Sequence, residues 1–261
     1  MQKKNIPIKT PEEIAIMREG GQILAHALQE AAKAAQPGIS TAELDQIAEN
    51  YIRTKGGVPS FKGYQGFPAT LCTNIDEQIV HTIPSKTQIL KEGDLLSMDC
   101  GCLYKEFHTD STLLLHITDP QNPTPPTPNK KALLDAANEV LETAFQTIKP
   151  ELPLINLCTT IGKTIRKHGY TPIAELTGHG IGRALHEPPH IPNQKESYAK
   201  GPTLKAGMTL AIEPIFTEGS GQIKTLQDKW TIVTSDNSLA VQIEHTILIT
   251  ENGCEILTKA S

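Results

Sequence analysis

The segment from Leu90 to Thr118 reads LKEGDLLSMDCGCLYKEFHTDSTLLLHIT and carries the strongest indication of the fold. Two apolar runs, 95–102 and 113–117, flank a predicted turn at 104–108, and this pattern is typical of a buried β-hairpin. Asp99 and Asp110 lie inside the two strands. In an antiparallel hairpin with an even loop, residues an odd number of positions apart share a face, so we expect the two carboxylates to face the same way. Because buried carboxylates repel each other and lose solvation, the hairpin predicts a cation between them or a protonated acid.

Two segments of this hairpin have similar counterparts later in the chain. The segment LKAGMTLAIE, which ends at Glu213, resembles LKEGDLLSMD, which ends at Asp99. The segment EHTILIT, which starts at Glu244, resembles DSTLLLHIT, which starts at Asp110. An internal repeat of this kind predicts two similar halves. If they pack about a pseudo-twofold axis, four carboxylates converge, and two divalent ions would make that cluster tenable. The alternative is that each acid is merely a solvated residue on a strand. This suits one acid alone, but it does not explain four acids at matched places.

Five prolines between Asp119 and Asn129 exclude helix and sheet, so residues 119–128 are predicted to be an extended connector. It could separate two domains. We interpret it as the joint between halves at about 10–118 and 129–250 of a single catalytic domain, 1–261, because each half carries only two of the four acids.

Length and composition bound the function. The chain has 261 residues, a net charge of −5, 38% hydrophobic and 20% charged residues. This balance is ordinary for a globular protein and argues against general nucleic-acid binding. The sequence has no apolar run long enough to span a membrane, and its start has no signal-peptide core. The five cysteines are odd in number and lack zinc-finger spacing, which predicts a reducing, cytoplasmic setting.

Helix signals surround the acids. Capping boxes at Thr10 with Glu13 and at Ser40 with Glu43 predict two helix starts, and apolar periodicity predicts further helices over 131–148 and 155–167. The run TGHGIGRALHE at 177–187 is rich in glycine but lacks the lysine of a phosphate loop. Strands are predicted around Glu213, Trp230 and Glu244, and on the last of them Gln242, Glu244 and Thr246 share one face. Together with the hairpin, these segments predict an α+β protein.

Five motifs in order resemble type I methionine aminopeptidases over nearly the whole chain. They are HTIP at 81–84, Asp99 with Asp110, TGHGIGRALHE at 177–187, AIEPI at 211–215 and QIEHT at 242–246. The resemblance implies the pita-bread fold, an antiparallel sheet backed by helices with internal pseudo-symmetry. This agrees with the repeat described above.

The resemblance also implies residue roles. It places metal ligands at Asp99, Asp110, His179, Glu213 and Glu244. It places catalytic groups at His81, His186 and Glu213, of which the two histidines also bind substrate. It places the walls of the methionine pocket at Tyr64, Phe67, Cys72, Leu185 and Trp230, with Leu185 where phenylalanine is usual.

The implied activity is that of a metalloaminopeptidase that removes the initiator methionine from nascent proteins when the second residue is small. Oxygen-rich ligands with one imidazole suit Co²⁺, Mn²⁺, Fe²⁺ or Zn²⁺. The resemblance implies that Asp110 and Glu244 would bridge two such ions. A shared hydroxide would attack the scissile carbonyl, with Glu213 as the proton acceptor. The implied partners are the N-termini of nascent polypeptides, with transient ribosome association. We expect a cytoplasmic monomer with no membrane contact and no recognition of nucleic-acid sequence.

Three alternatives stay open. Prolidases and Xaa-Pro aminopeptidases share the implied fold and ligands but generally carry an extra N-terminal domain, for which this chain has no room. A catalytically dead relative acting as a binding protein would have lost ligands, and here all five are present. An unrelated hydrolase would require the whole motif match to be accidental.

Overall fold

The computed structural model describes residues 6–195 and 201–260. Its four α-helices are α1 Pro11–Ala34, α2 Thr41–Thr54, α3 Pro128–Thr147 and α4 Leu154–Lys167. Pro128, the last residue of the predicted connector, belongs to α3, because proline is tolerated in the first turn of a helix. Both predicted capping boxes are confirmed. Thr10 Oγ1 accepts the Glu13 N–H at 3.3 Å while Glu13 accepts the Thr10 N–H at 3.0 Å, so the first turn of α1 has its free donors satisfied.

Fifteen short strands form three antiparallel sheets in the described parts of the chain. They are β1 Val58–Pro59, β2 Leu71–Ile75, β3 Gln78–Val80, β4 Leu95–Tyr104, β5 Phe107–His116, β6 Thr171–Pro172, β7 Thr177–Gly180, β8 Glu187–Pro192, β9 Thr209–Ile212, β10 Ile215–Thr217, β11 Ile223–Thr225, β12 Ile232–Thr234, β13 Ala240–Gln242, β14 Glu244–Ile249 and β15 Cys254–Ile256. The largest sheet has nine strands in the order β1-β4-β5-β14-β9-β7-β8, with β2 on β4 and β15 on β14. The other two have the orders β13-β10-β6 and β11-β12-β3.

The predicted hairpin is strands β4 and β5. Asp99 lies opposite Thr112, and Gly101 lies opposite Asp110, so the two aspartates are diagonal neighbours on one face, as the odd spacing predicts. The expected five-residue turn at 104–108 is too wide. Pairing continues to Tyr104 and Phe107, and only Lys105 and Glu106 form the turn.

The repeat corresponds to neighbouring strand pairs in the nine-stranded sheet. The first pair is β4 with β5, the second is β9 with β14, and β5 joins β14 directly through Thr112 opposite Glu244. The order β4-β5-β14-β9 is therefore symmetric about the β5/β14 boundary. This arrangement brings the two acid pairs to the centre of one sheet.

Each half packs its own helix pair on the sheet. One apolar cluster joins α1 and α2 to β2 and β4 through Leu24, Leu44, Leu71 and Met98. The other joins α3 and α4 to β9 and β14. Every side chain named in the first cluster is fully buried, and burying one such side chain contributes about 1.5–3 kcal/mol. The two helix pairs therefore pack against the back of the sheet.

Two predictions about the last strands are wrong. Trp230 does not lie on a strand but in the loop between β11 and β12, just after Lys229, whose φ is 66°. Gln242 and Glu244 do not share one continuous strand, because β13 ends at Gln242 and β14 begins at Glu244. β13 pairs with β10 in a different sheet, so Ile243 marks a change of sheet.

Among the helices of the described residues, none combines the length and the apolar character that crossing a bilayer requires.

Candidate metal centre

The five predicted metal ligands come from five adjacent positions across the nine-stranded sheet. Asp99 lies on β4, Asp110 on β5, Glu244 opens β14, Glu213 directly follows β9, and His179 lies on β7. The strand order β4-β5-β14-β9-β7 therefore sets the order of the side chains across the site. Residues from both halves of the chain become neighbours because the two halves share this sheet.

The distances place these groups around one point. One ligand atom each of Asp110, His179 and Glu244 lies within 4.8 Å of the others. His179 Nε2 is 3.9 Å from Asp110 Oδ2 and 3.7 Å from Glu213 Oε1. The side chain of Asp99 is also buried and lines the same cavity. The structure thus brings all five predicted ligands together.

The buried acids disfavour their own ionisation. Burial raises the pKa of Asp99 to about 7. Burial, and then repulsion from Glu244 and Asp99, raises the pKa of Asp110 well above its ordinary value, and the same causes act on Glu213. Burial and the Asp99 charge do the same to Glu244. A cluster with this electrostatic character calls for positive charge.

His179 is neutral and oriented as a ligand. Burial, followed by the nearby His186, lowers its pKa to about 3. Its Nδ1–H donates to the Gly180 carbonyl at 2.8 Å, so Nε2 carries a lone pair facing the acids. Gly178 allows this arrangement, because a Cβ there would lie 2.6 Å from the Ala211 carbonyl oxygen. A backbone acceptor behind the ring is the usual support of a metal-binding histidine.

Unsatisfied oxygens show that the residues fit a metal. Among the described residues, Asp99 Oδ1, Asp110 Oδ1 and Glu244 Oε1 are buried and have no hydrogen-bond partner in the protein. None of the described residues that line the cavity is a lysine or an arginine. Buried carboxylates without donors or counter-charges are costly, and divalent metal ions satisfy both needs. The donor set of carboxylates with one neutral imidazole suits a divalent transition metal.

The acids form the floor of a cavity of about 320 Å³. His81 and His186 lie on its walls, with more than a third of each exposed. His81 follows β3 with a φ of 60°, a left-handed conformation that is uncommon outside glycine and often marks functional positions. The His186 ring packs against the His179 ring with centroids 4.4 Å apart. Both predicted catalytic histidines therefore face the acid cluster.

The predicted pocket walls lie in the same cavity with one exception. Tyr64, Phe67, Cys72 and Leu185 line it. Trp230 stands behind this layer, with its ring edge-on to Phe67 at a centroid distance of 5.2 Å. It supports Phe67 and is not part of the cavity surface.

Two further side chains hold the acids, and our sequence interpretation missed their role. Thr112 lies opposite both Asp99 and Glu244, and its hydroxyl donates to Glu244 Oε2 at 3.0 Å. Gln242 Nε2 donates to Glu213 Oε2 at 3.5 Å. The register of the hairpin could have identified Thr112, because it is the residue directly across from Asp99. Gln242 precedes Glu244 by two positions, which predicted a shared face but gave no hint of its partner.

Comparison with known proteins gives consistent matches. The model of metallopeptidase family M24 matches residues 15–251. A protein of Bacillus subtilis named methionine aminopeptidase 1 is 43% identical over 251 residues, which cover 96% of this chain and 98% of that protein. The crystal structure of methionine aminopeptidase from Thermotoga maritima superposes with a TM-score of 0.93 at 38% identity, over 98% of this chain and 100% of that one. Prolidase from Pyrococcus furiosus gives a TM-score of 0.76 at 26% identity, over 97% of this chain but 66% of that one.

Proposed function

Because the chain belongs to metallopeptidase family M24, we propose that it removes the initiator methionine from proteins whose second residue is small. It has the pita-bread fold and is a metal-dependent hydrolase of the methionine aminopeptidase type. The observation that carries the proposal is the buried cluster of Asp110, His179 and Glu244 beside Asp99 and Glu213 in one cavity. The methionine aminopeptidase structure is more similar to this chain than the prolidase is, with TM-scores of 0.93 and 0.76 at 38% and 26% identity. This difference favours methionine-directed cleavage over proline-directed cleavage.

We propose that Asp99, Asp110, His179, Glu213 and Glu244 hold two divalent ions, of cobalt, manganese, iron or zinc. When bound, such ions provide Lewis acidity that makes a water nucleophilic near neutral pH. The three carboxylate oxygens without protein donors support this assignment, since each has a free lone pair inside the cluster.

The chain's own residues would carry the remaining steps. Glu213 would accept the proton of the attacking water on a carboxylate oxygen and deliver it to the leaving amine. Its side chain is 11% exposed and lies beside His179, and burial raises the pKa of this carboxyl well above its ordinary value, which favours uptake of a proton. His186 would donate an N–H to the substrate carbonyl oxygen as negative charge develops there. His81 would contact the scissile nitrogen from the opposite wall.

The substrate methionine would occupy the apolar part of the cavity. Phe67, Cys72 and Leu185 are buried there in one cluster, which Trp230 supports from behind. The free α-amino group would be bound beside Asp99, and this confines cleavage to N-termini. The walls next to His81 would leave room only for a small second residue.

We further propose that the chain acts as one catalytic domain. The pairing of β5 with β14 supports this, because it builds a single site from both halves. The protein would work as a monomer in the cytoplasm, associating transiently with ribosomes to reach nascent N-termini. The net charge of −5 fits a protein that recognises no nucleic-acid sequence.

The test is peptide cleavage by the purified protein after chelation and after adding back each metal in turn. We expect Met-Ala-Ser to be cleaved only with metal, and Ala-Pro dipeptides to be left intact. Cleavage of the Ala-Pro dipeptides with Met-Ala-Ser intact would make the protein proline-directed. Metal binding without cleavage of either peptide would indicate a binding protein.

A further inference from the structure

The two neighbouring histidines of the site have different partners behind their rings. His179 Nδ1 lies 2.8 Å from the Gly180 carbonyl oxygen. His186 Nδ1 lies 3.0 Å from Tyr64 Oη. The rings themselves are 4.4 Å apart, so two adjacent imidazoles are held from behind by a carbonyl and by a phenol.

The carbonyl fixes the tautomer of His179, whereas the phenol permits the opposite tautomer of His186. A neutral imidazole has one N–H, and the hydrogen bond of one nitrogen decides what the other can do. A carbonyl only accepts, so His179 must carry its proton on Nδ1 and present a lone pair at Nε2. A phenol can donate, so His186 can receive a hydrogen bond at Nδ1 and keep its proton at Nε2. The first arrangement suits a metal ligand, and the second suits a donor to an oxyanion.

We propose that Tyr64 is a positioning residue for His186: its hydroxyl donates to Nδ1 and thereby holds the ring with Nε2–H ready for the substrate carbonyl oxygen. This inference rests on the proposed function, in which His186 is that donor. It assigns Tyr64 a second task besides forming a wall of the methionine pocket.

The local backbone is built to hold the Tyr64 hydroxyl in place. Tyr64 opens a single 3₁₀ turn, in which its N–H donates to the Phe61 carbonyl and its carbonyl accepts from Phe67 N–H, both at 2.9 Å. Gly63 and Gly66 have φ values of 90° and 92°, which glycine adopts without strain. The Gly63 N–H closes the loop on the Phe67 carbonyl at 2.7 Å. The Tyr64 side chain is therefore carried by a loop that backbone hydrogen bonds close on itself.

Ring packing separates the role of the hydroxyl from that of the ring. The Tyr64 and His186 rings are 5.4 Å apart at an angle of 45°. Replacing tyrosine by phenylalanine keeps this packing and the pocket wall, and it removes only the donor. Tyr64→Phe is therefore a clean test of the hydrogen bond.

The first arm of the test is kinetic, with Met-Ala-Ser as substrate and one fixed metal. Tyr64→Phe should lower kcat roughly 2- to 10-fold, the range expected for one neutral hydrogen bond, with KM little changed. In a His186→Ala background the same substitution should have no effect on kcat, because the group it positions is gone. Tyr170→Phe is the matched control: that tyrosine packs on Phe216 with centroids 5.5 Å apart, outside the cavity, and both constants should stay at wild-type values.

The second arm reads the tautomer directly in metal-free protein labelled with ¹⁵N at histidine. The His186 signals are identified by their loss in His186→Ala. Wild-type protein should show a protonated Nε2 and an accepting Nδ1, and Tyr64→Phe should move the Nδ1 shift. A wild-type His186 protonated at Nδ1, or an unchanged spectrum in Tyr64→Phe, would overturn the proposal, as would an equal fall in kcat with and without His186. If wild-type protein cleaves no methionyl peptide, the proposed function fails, while the spectrum still decides the role of Tyr64.

Discussion

Lys9 and Glu187 form a buried ion pair that ties the segment before α1 to the loop carrying His186. Nζ lies 2.7 Å from Oε2, and the two side chains are 3% and 9% exposed. The lysine stem lies directly over Gly182, where a Cβ would come within 2.4 Å of Lys9 Cε. The Lys9 N–H also donates to the Gly207 carbonyl at 2.8 Å. Lys9→Met keeps most of the stem and removes the charge.

The expected cost follows from this burial. Removing one partner of a buried ion pair leaves an uncompensated charge and costs about 3–5 kcal/mol. For a chain of this size each kcal/mol lowers Tm by about 2–4 °C, so Lys9→Met should lower Tm by roughly 6–20 °C. The remaining Glu187 carboxylate keeps one donor, the Ala184 N–H at 3.1 Å, which is too little to replace the lysine.

The assay is thermal and urea unfolding of the metal-free protein at one pH. Arg18→Met is the matched control, because Arg18 makes two hydrogen bonds to Glu255, at 2.6 and 2.7 Å, but the two side chains are 49% and 38% exposed. It should cost less than about 1 kcal/mol. Adding Glu187→Gln to Lys9→Met should restore most of the loss. The reasoning is refuted if Lys9→Met destabilises no more than Arg18→Met, or if the double variant is as unstable as the single one.

Three further predictions concern the site. Glu213→Gln should fold and lose nearly all activity, because an amide cannot accept the proton; normal turnover with bound metal verified would remove Glu213 from that role. His186→Ala should lower kcat by on the order of 10²–10³ with unchanged metal content, since it removes one donor to the oxyanion, and a lost metal equivalent would make it a ligand. The Asp99 carboxyl should stabilise the metal-free protein below about pH 4, and this contribution should be lost as pH rises to about 7, because burial raises the pKa of Asp99 from 3.8 to about 7. The pKa shift of that carboxyl alone corresponds to roughly 4 kcal/mol in the free energy of unfolding. Unfolding measurements over this pH interval that show rising stability would contradict the expected sign.

Local signals made much of the fold predictable. The helix starts follow from single side chains that satisfy nearby N–H groups, as Thr10 does for Glu13. The shared face of Asp99 and Asp110 follows from the period of a strand alone. The order of acids across the sheet follows from the repeat. These features depend on residues close in sequence or on the internal repeat, and both are visible in the sequence.

Other features had no local signal. The hairpin turn uses Lys105 and Glu106 at φ values of 45° and 72°. Asparagine or glycine at these positions would have predicted the turn, whereas lysine and glutamate do not. The change of sheet at Ile243 depends on β10, which pairs with β13 from another part of the chain. The contact of Tyr64 with His186 joins residues 122 positions apart, and that of Lys9 with Glu187 joins residues 178 apart. Such pairs appear only when the whole fold brings the loops together.

The shared sheet also has a consequence for the chain as it is made. Ser111 on β5 and Glu244 on β14 are 133 positions apart, so at about 5–20 residues per second the ribosome needs on the order of 10 s to deliver the strand that covers β5. During that time β5 is an open edge, and open edges invite pairing with other nascent chains. Asp110 lies on this edge and is then ionised in water, which opposes such pairing. We therefore expect the acid that later faces the metal to protect the unfinished protein from aggregation first.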